Sequence, residues 1–442
     1  MLPVYRYTDI VIMSSIPALK IAIIGGGWYG CHIALELKKD GHDVEIFDKS
    51  GQIFDGISGT FGIRLHKGPH YPRSKMTRDT CRKDYSHFCR LYPNLLIHHE
   101  RAMYGHSKLD AHGFPNKVTQ EHFHNVCHES PECEVLDHKA EGWPEVNALY
   151  SLDENSVVVG ESLREAIQAN LEQAGIKVQL NCEVHGVQQC EGHVRVHLNN
   201  SSHEYDIAIN ATAYASLIPN DLLPDNIGVA YQSAIGLVYE DLSPGKKPFS
   251  FIIMDGAYPC IMPIVTVDNS PTVEYLIIHG TYTIMGSFNT PEKAAEHLAQ
   301  LTDSVMNTKI KPLIDHELEK VWPRYHERFV YRGWKGAVIA KLRTRSEFRS
   351  SLTFEKDDVI YIFPGKINNV VTAARETRVL VEDIVRRRQE VPISSNKRDN
   401  VVNSCGVRFA ADGTMALALG EIGDKPLPGE PHTTNIQTFL EL

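Results

Sequence analysis

The chain of 442 residues lacks the features that mark several large classes of protein. No stretch approaches the roughly 18 consecutive apolar residues of a membrane-spanning helix, so we expect no membrane partner. There is no internal repeat and no low-complexity tract, and 42% hydrophobic with 23% charged residues is typical of a folded globular protein. Basic residues are fewer than acidic ones, 45 Lys and Arg against 55 Asp and Glu, which gives a net charge of −10. A negative net charge argues against a nucleic-acid partner.

The nine cysteines are scattered and include no CxxC pair. They are typical of free thiols in a reducing compartment, so we expect a cytoplasmic protein. An apolar patch of four residues near the N-terminus is too short for a signal-peptide core. Cys127-His128 and Cys133 with His138 match no zinc-binding spacing, and no metal is expected. The serine-hydrolase, Walker A and kinase motifs are also absent from the sequence.

What the chain does contain is a strand, a glycine-rich turn, a helix and a second strand in close succession. An apolar run from Lys20 ends in Gly25-Gly26-Gly27-Trp28-Tyr29-Gly30, and the helical pattern after it ends at Gly41. The second strand ends at Asp48, close to the ~20-residue spacing of dinucleotide-binding sequences. This order predicts a parallel βαβ unit.

Each conspicuous residue of the unit has a role if a dinucleotide binds there. Gly25 permits the tight turn, Gly27 lets a pyrophosphate approach the backbone, and Gly30 lets helix and strand pack closely. The helix N-terminus offers N–H groups to the phosphates, and Asp48 accepts from a ribose hydroxyl. The alternative is a glycine-rich turn with a purely structural role.

Two later blocks, together with this one, resemble the FAD-dependent oxidoreductases of the D-amino-acid oxidase type. The second block runs from residue 160 to 187 and continues at 206–216, and the third is Phe363-Pro364-Gly365-Lys366-Ile367. The resemblance spans about residues 19–385 and implies FAD as the cofactor. The chain departs from it in two places, with Ala213-Tyr214 where the family has Gly, and with Arg343, Arg345 and Arg349 in place of an Arg-Pro pair.

The resemblance also implies where the cofactor lies. The third block would lie under the pyrimidine edge of the flavin, where its helix N-terminus and Lys366 stabilise negative charge; an ordinary strand–helix turn is the alternative. The predicted cofactor-binding residues are Gly25, Gly27, Trp28, Tyr29, Gly30, Asp48, Ser58, Arg64, Val184, Ala211, Gly365, Lys366 and Ile367.

The segment 58–73 follows Asp48 and is dense in glycine, which close approach of a backbone to a ligand requires. It also carries charged and aromatic residues, among them His66 and His70, which could contact the ring or the substrate and transfer protons. Arg345 would bind a substrate carboxylate in a two-pronged way. The alternative for the two histidines is a polar residue at the surface or in contact with a phosphate, and the alternative for Arg345 is a solvated basic strand edge. His66, His70 and Arg345 are the predicted catalytic residues.

We therefore predict an α/β protein with a Rossmann-like FAD-binding domain and a second, antiparallel-sheet substrate domain. The FAD-binding domain would comprise residues 19–100, 151–228 and 336–390, and the substrate domain residues 101–150 and 229–335. Residues 391–442 would form a loosely packed extension. The expected reaction removes hydride from a C–H bond beside N or O of a small molecule, with O2 as the reoxidant. The alternatives are an FAD-dependent monooxygenase using NAD(P)H and a flavin-binding protein without redox activity.

Overall fold

The architecture was analysed in a computed structural model of the protein, which describes residues 17–219, 228–243, 247–266, 273–343 and 348–389, and two short strands beyond them. The strands, in chain order, are β1 (Lys20–Ile24), β2 (Asp43–Phe47), β3 (Ile63–Arg64), β4 (Leu96–His98), β5 (Ala102–His106), β6 (Glu134–Leu136), β7 (Ala148–Leu152), β8 (Asn155–Val157), β9 (Lys177–Gln179), β10 (Val184–Cys190), β11 (His193–Leu198), β12 (Ser202–Tyr205), β13 (Ile207–Asn210), β14 (Val229–Asp241), β15 (Ser250–Met254), β16 (Pro259–Ile264), β17 (Val273–His279), β18 (Ile284–Phe288), β19 (Phe329–Leu342), β20 (Leu352–Lys356), β21 (Val359–Phe363), β22 (Val407–Phe409) and β23 (Met415–Leu417).

The helices, again in chain order, are α1 (Trp28–Lys39), α2 (Ile57–Thr60), α3 (Lys75–Leu91), α4 (Gln120–Cys127), α5 (Glu161–Gln173), α6 (Pro291–Ala299), α7 (Asp303–Val305), α8 (Lys311–Val321) and α9 (Val370–Gln389). Short 3-10 turns cover Pro93–Leu95, Tyr325–Glu327 and Ile367–Asn369, and a π-helical turn, Met306–Ile310, joins α7 to α8. No helix among the described residues is long and apolar enough to cross a membrane.

A six-stranded sheet forms the first lobe, in the order β20-β21-β13-β1-β2-β9. The pairs from β21 to β9 are parallel and β20 is antiparallel. Central strand β1 is buried on both faces, since Ile21 and Ile23 belong to one apolar cluster and Ala22 and Ile24 to another. Burial on both faces is typical of a parallel strand covered on both sides, and each buried Ile contributes ~1.5–3 kcal/mol to folding. The predicted Rossmann-like unit is confirmed.

A nine-stranded, mostly antiparallel sheet forms the second lobe, in the order β18-β14-β17-β16-β15-β5-β7-β6, with β19 paired along β14. Helix α8 packs Ile314 and Leu318 into the apolar cluster on one face. The lobes meet along segment 58–73, where a Cβ on Gly62 would lie 2.3 Å from the carbonyl oxygen of Pro263 in β16. The predicted antiparallel second sheet is confirmed. The residue boundaries of the two domains stay a prediction. Strand β19 of the larger sheet runs to Leu342, past residue 336, where the FAD-binding domain is expected to resume.

Several local expectations change in the structure. The sequence of residues 106–150 shows no clean period and predicts no element, whereas the structure has α4 and β6 there and begins β7 at Ala148. The sequence also predicts no strand at 184–190, where the structure has β10. In the sequence, Thr290 as N-cap and Pro291 in the first turn predict a helix to about Met306. In the structure this helix ends at Ala299, because Thr302 caps a new start by accepting from the N–H of Val305. Most of the predicted extension 391–442 lies outside the described residues.

Candidate functional site

The turn between β1 and α1 gives each fingerprint glycine a distinct environment. Gly25 has a φ of +110°, and a Cβ there would lie 2.7 Å from the carbonyl oxygen of Ala211. A Cβ on Gly30 would lie 1.9 Å from the carbonyl oxygen of Gly25, so these two positions serve the packing of strand and helix. A Cβ on Gly27 would meet only the side chain of Ser58 within 4 Å, its nearest atom being Oγ at 3.3 Å. Gly27 is therefore the position that leaves the backbone approachable.

Asp48 follows β2 and faces the same turn. Its Oδ2 accepts from the N–H of Gly26 at 2.6 Å, and its Oδ1 accepts from the N–H of Ser50 at 2.8 Å. Each carboxylate oxygen has a second lone pair, so Asp48 still has acceptor capacity for a ribose hydroxyl. The carboxylate thus holds the turn in shape while remaining able to accept from a ligand.

Trp28 and Tyr29 open helix α1, but their side chains point to other parts of the fold. The indole of Trp28 is 2% exposed and packs edge-on or tilted against Phe54, Phe88 and Tyr92. The hydroxyl of Tyr29 bonds to the turn after β21. The N–H groups of the first helical turn have no intrahelical acceptor, so these two residues could bind a phosphate only through their backbone.

The turn after β21 carries Gly365 and Lys366 and is fixed by two side chains. The hydroxyl of Tyr29 donates to the carbonyl of Lys366 at 2.8 Å and accepts from the N–H of Gly365 at 2.9 Å. The N–H of Lys366 donates to Oδ1 of Asn369 at 3.0 Å. A Cβ on Gly365 would lie 2.1 Å from the backbone nitrogen of Ser351, so this glycine is required by close packing.

The N–H groups that this turn can offer a ligand are those of Ile367 and Asn368, the first two residues of the 3-10 turn, since Gly365 and Lys366 already donate within the protein. Asn368 itself is fully buried and donates from Nδ2 to the carbonyls of His66 and Cys81. These bonds tie the turn to segment 58–73 and to α3.

Arg64 lies in the interior between the lobes. Beside it lie Glu154 and Tyr104, which no sequence pattern indicated as site residues. The side chains of Arg64 and Glu154 are 0% exposed, and Nε of the guanidinium lies 2.7 Å from Oε2 of the carboxylate. Glu154 also accepts from the hydroxyl of Tyr104 at 2.8 Å and from the N–H of Lys67 at 2.6 Å. The guanidinium lies over the ring of Tyr104, 4.2 Å from its centroid. The described contacts of Arg64 are thus within the protein, and its cofactor role stays a prediction.

His66 and His70 stack beside this network, with ring centroids 4.3 Å apart. Nδ1 of His66 lies 3.3 Å from the hydroxyl oxygen of Tyr104. Burial lowers the pKa of both imidazoles well below 6.5, and the neighbouring Lys366 and Arg64 lower it further. Both rings are therefore neutral at neutral pH. Within the described residues no hydrogen bond involves Nε2 of either ring, so these atoms remain available.

Lys366 and Tyr71 complete the surroundings of the histidine pair. Tyr71 meets His70 edge-on at 4.6 Å, and the ammonium group of Lys366 lies 5.0 Å from the centroid of the Tyr71 ring. The charge of Arg349 also lowers the pKa of His70. Arg345, the predicted substrate-binding residue, lies outside the described residues, and its role stays a prediction.

The remaining predicted cofactor residues lie near the sheet. The N–H of Ala211 donates to the carbonyl of Ile24 at 2.9 Å, and Val184 opens β10 with 7% exposure. Ala213 and Tyr214, which stand where the family has Gly, adopt φ values of +58° and +57°. The chain thus keeps the left-handed backbone without the residue that adopts it most easily.

These residues fit the dinucleotide cofactor that the sequence predicts. The open face of Gly27 leaves space that a Cβ would fill, unbonded N–H groups of α1 lie beside it, and Asp48 ends the second strand. Among the described residues, no group of three or more His, Cys, Asp or Glu side chains is placed to hold a metal ion. No local signal distinguishes Glu154 from a surface acid, because its importance comes from Arg64 and Tyr104, which are distant in sequence.

The chain was then compared with known proteins. The family model described as FAD dependent oxidoreductase matches residues 20–364. The FAD-dependent monooxygenase kojA of Aspergillus flavus is 50% identical over 427 residues, covering 96% of this chain and 98% of that protein. The FAD-dependent monooxygenase FPY4 of Fusarium mangiferae is 23% identical over 385 residues, covering 82% and 91%.

Among solved structures, glycine oxidase from Geobacillus kaustophilus has a similar fold, with a TM-score of 0.60. That similarity covers 84% of this chain and 96% of the oxidase at 14% sequence identity. The structural likeness supports the two-lobed fold, and the family match supports the predicted cofactor.

Proposed function

The chain belongs to the family of FAD-dependent oxidoreductases, and from that premise we propose that it removes hydride from a C–H bond beside N or O of a small polar molecule, with O2 as the electron acceptor. FAD is its cofactor, and when bound it supplies the two-electron redox chemistry. What remains to be assigned is the part that this chain's own side chains play.

The observation that carries the proposal is the stacked pair His66 and His70 beside Lys366. Both rings are neutral because burial and the nearby positive charges lower their pKa. A neutral imidazole with an unbonded Nε2 can accept a hydrogen bond, or a proton, from a substrate hydroxyl or amine. His66 and His70 orient the substrate in this way, and the charge of Lys366 attracts an electron-rich group nearby.

The cofactor is held by the groups described above. Gly27 and the N–H groups of the first turn of α1 bind the pyrophosphate, and Asp48 accepts from a ribose hydroxyl. The N–H groups of Ile367 and Asn368 and the ammonium of Lys366 stabilise negative charge at the flavin end. The nine-stranded sheet excludes water from the reacting groups, which strengthens these electrostatic interactions.

A second candidate is a monooxygenase that transfers one atom of O2 to its substrate. It is favoured by the identity of 50% to the relative named FAD-dependent monooxygenase, which extends over nearly the whole chain. The two candidates share the same cofactor and site and differ in the fate of oxygen.

One experiment separates them. The purified holoprotein is mixed anaerobically with panels of sugars, polyols, amino acids and amines, with and without NADPH, and bleaching of the flavin absorbance that depends on the added compound identifies a substrate. Turnover is then followed under 18O2 with and without NADPH. Hydride removal alone gives one H2O2 for each substrate oxidised and no 18O in the product. Incorporation of 18O from O2 with little peroxide would replace the first candidate by the second.

The histidine assignment is tested on the same substrate. His66→Asn and His70→Asn are expected to slow flavin reduction while leaving FAD bound, because they remove groups at the reacting centre. Arg345→Lys is expected chiefly to raise KM, since a lysine loses two-pronged binding of an anionic group. Reduction rates within about twofold of the parent for both histidine variants would contradict the assigned site.

We propose that the protein is located in the cytoplasm. The eight cysteines that the structure describes are free thiols, and a reducing compartment maintains that state. Microscopy of the tagged chain in its own host tests this, and a signal confined to an organelle would contradict it.

A further inference from the structure

The side chains that contact His66 through its Nδ1 atom have a role of their own. This assignment rests on the proposed function in one respect, since it takes His66 as a group that meets the substrate. Three side chains form a line of contacts that ends at this ring: Glu154, Tyr104 and His66. Glu154 and Tyr104 come from the connection between β7 and β8 and from β5, so three separate parts of the chain converge here.

The protons along this line can be assigned from the chemistry of the groups. Both oxygens of Glu154 face groups that can only donate: Nε of Arg64 lies 2.7 Å from Oε2, and the N–H of Lys67 lies 2.6 Å from Oε1. A carboxylate only accepts hydrogen bonds, so the single proton of the Tyr104 hydroxyl is donated to Oε2 of Glu154 at 2.8 Å. The hydroxyl oxygen then has lone pairs but no proton to give to His66.

The contact between Tyr104 and His66 therefore requires a proton on Nδ1 of the histidine. Nδ1 lies 3.3 Å from the hydroxyl oxygen and 3.9 Å from Oε2 of Glu154, so both neighbours are acceptors. A neutral imidazole carries one proton, and if Nδ1 holds it then Nε2 is bare.

We infer that Tyr104 and Glu154 are positioning residues that hold His66 in the Nδ1–H tautomer and present its bare Nε2 as the acceptor for a substrate O–H or N–H. Arg64 supports the arrangement by pairing with Glu154, and because both side chains are 0% exposed, water does not compete for the carboxylate. In many enzymes a carboxylate orients a catalytic imidazole by accepting from its N–H. Here a tyrosine hydroxyl lies between the carboxylate and the imidazole.

The test measures the tautomer directly and needs no substrate. The FAD-loaded protein is labelled with 15N-histidine, and the His66 resonances are identified by their loss in His66→Asn. Nitrogen and proton shifts at neutral pH report which ring nitrogen bears the proton. In the parent protein we expect the proton on Nδ1. In Tyr104→Phe we expect the ratio of the Nδ1–H to the Nε2–H tautomer to fall roughly threefold to tenfold, because one hydrogen bond is lost.

A matched control is provided by Tyr150, which lies directly opposite Tyr104 on the adjacent strand. Its hydroxyl lies 3.2 Å from Nδ1 of a different histidine, His124. Tyr150→Phe removes the same group from the same sheet and is expected to leave the His66 signals unchanged.

Two results would overturn the inference. One is a parent protein in which His66 carries its proton on Nε2 or on both nitrogens, and this measurement stands even if Tyr104→Phe fails to fold. The other is a folded Tyr104→Phe protein with an unchanged tautomer ratio. The proposed function fails separately, if the tautomer behaves as expected while His66→Asn reduces its flavin at the parent rate.

Discussion

The hydroxyl of Tyr29 joins the two ends of the predicted cofactor site, donating to the carbonyl of Lys366 and accepting from the N–H of Gly365, 337 and 336 residues away in sequence. Tyr29 belongs to the first turn of α1, beside the position where the pyrophosphate is expected, and Lys366 to the turn expected beneath the flavin. Burial raises the pKa of the Tyr29 phenol well above its usual value of 10.0, so the hydroxyl keeps its proton and its double role. One side chain therefore fixes the distance between two binding elements.

Tyr29→Phe is expected to weaken FAD binding by about tenfold, because it removes two hydrogen bonds from a part-buried turn, each worth ~0.5–1.5 kcal/mol. Fluorescence titration of the apoprotein with FAD measures the change. Tyr85→Phe is the control, since the Tyr85 hydroxyl donates to the carbonyl of Asp153 instead. Equal FAD affinity in both variants would show that the bridge does not shape the site.

Gly27→Val is expected to lower FAD affinity by roughly tenfold to a hundredfold, because its side chain enters the space that the pyrophosphate needs. Gly56→Val is a close control: Gly56 also precedes a helix, and its φ and ψ of −83° and −156° are near the −88° and −169° of Gly27. Nothing lies within 4 Å of a Cβ at Gly56. Titration with FAD should separate the two variants, and parallel losses would mean that the open face of Gly27 is not a binding surface.

Ala213→Gly is expected to stabilise the protein by about 1 kcal/mol, because Ala213 is exposed and has a φ of +58°, which costs an L-residue roughly that amount. Ala215→Gly, also at an exposed alanine in the same loop but without a positive φ, should destabilise slightly through the greater entropy of the unfolded chain. Melting temperatures measured side by side should therefore move in opposite directions. A lower melting temperature for Ala213→Gly would contradict this account.

Buried neutral histidines should make the protein lose stability in acid. Burial lowers the pKa of His32 from 6.5 to about 4, and its Nδ1 lies 2.7 Å from the hydroxyl oxygen of Tyr92. The unfolded chain therefore binds a proton at a higher pH than the folded one, so this contribution is complete above pH ~6.5 and falls as the pH drops toward 4. Burial likewise lowers the pKa of His99 and His279 to about 3, with the same sign.

His32→Gln is accordingly expected to flatten the decline of melting temperature between pH 6.5 and 4, while His87→Gln, at an exposed position of α3, should keep the parent's slope. Differential scanning fluorimetry across that range makes the comparison. A His32→Gln protein as acid-sensitive as the parent would place the sensitivity at other groups.

Elements with local signals could be predicted from the amino-acid sequence alone. The fingerprint strand, turn and helix follow from short-range apolar spacing and from glycine, and the N-cap role of Thr290 follows from its hydroxyl and the proline after it. Asp48 could be placed because its distance from the glycines is set by the length of one helix. The family and the cofactor followed from three such blocks.

The tertiary structure alone decided which polar groups are buried together. Glu154 lies 90 residues from Arg64 and 50 from Tyr104, and nothing near it in sequence distinguishes it from a surface carboxylate. A buried charge is tolerated only where the fold brings a partner to it, so its significance cannot be read from its neighbours in the chain. The bond between Tyr29 and Lys366 could not be predicted for the same reason, because a hydroxyl acquires this structural role only when folding brings distant backbone groups within hydrogen-bond distance.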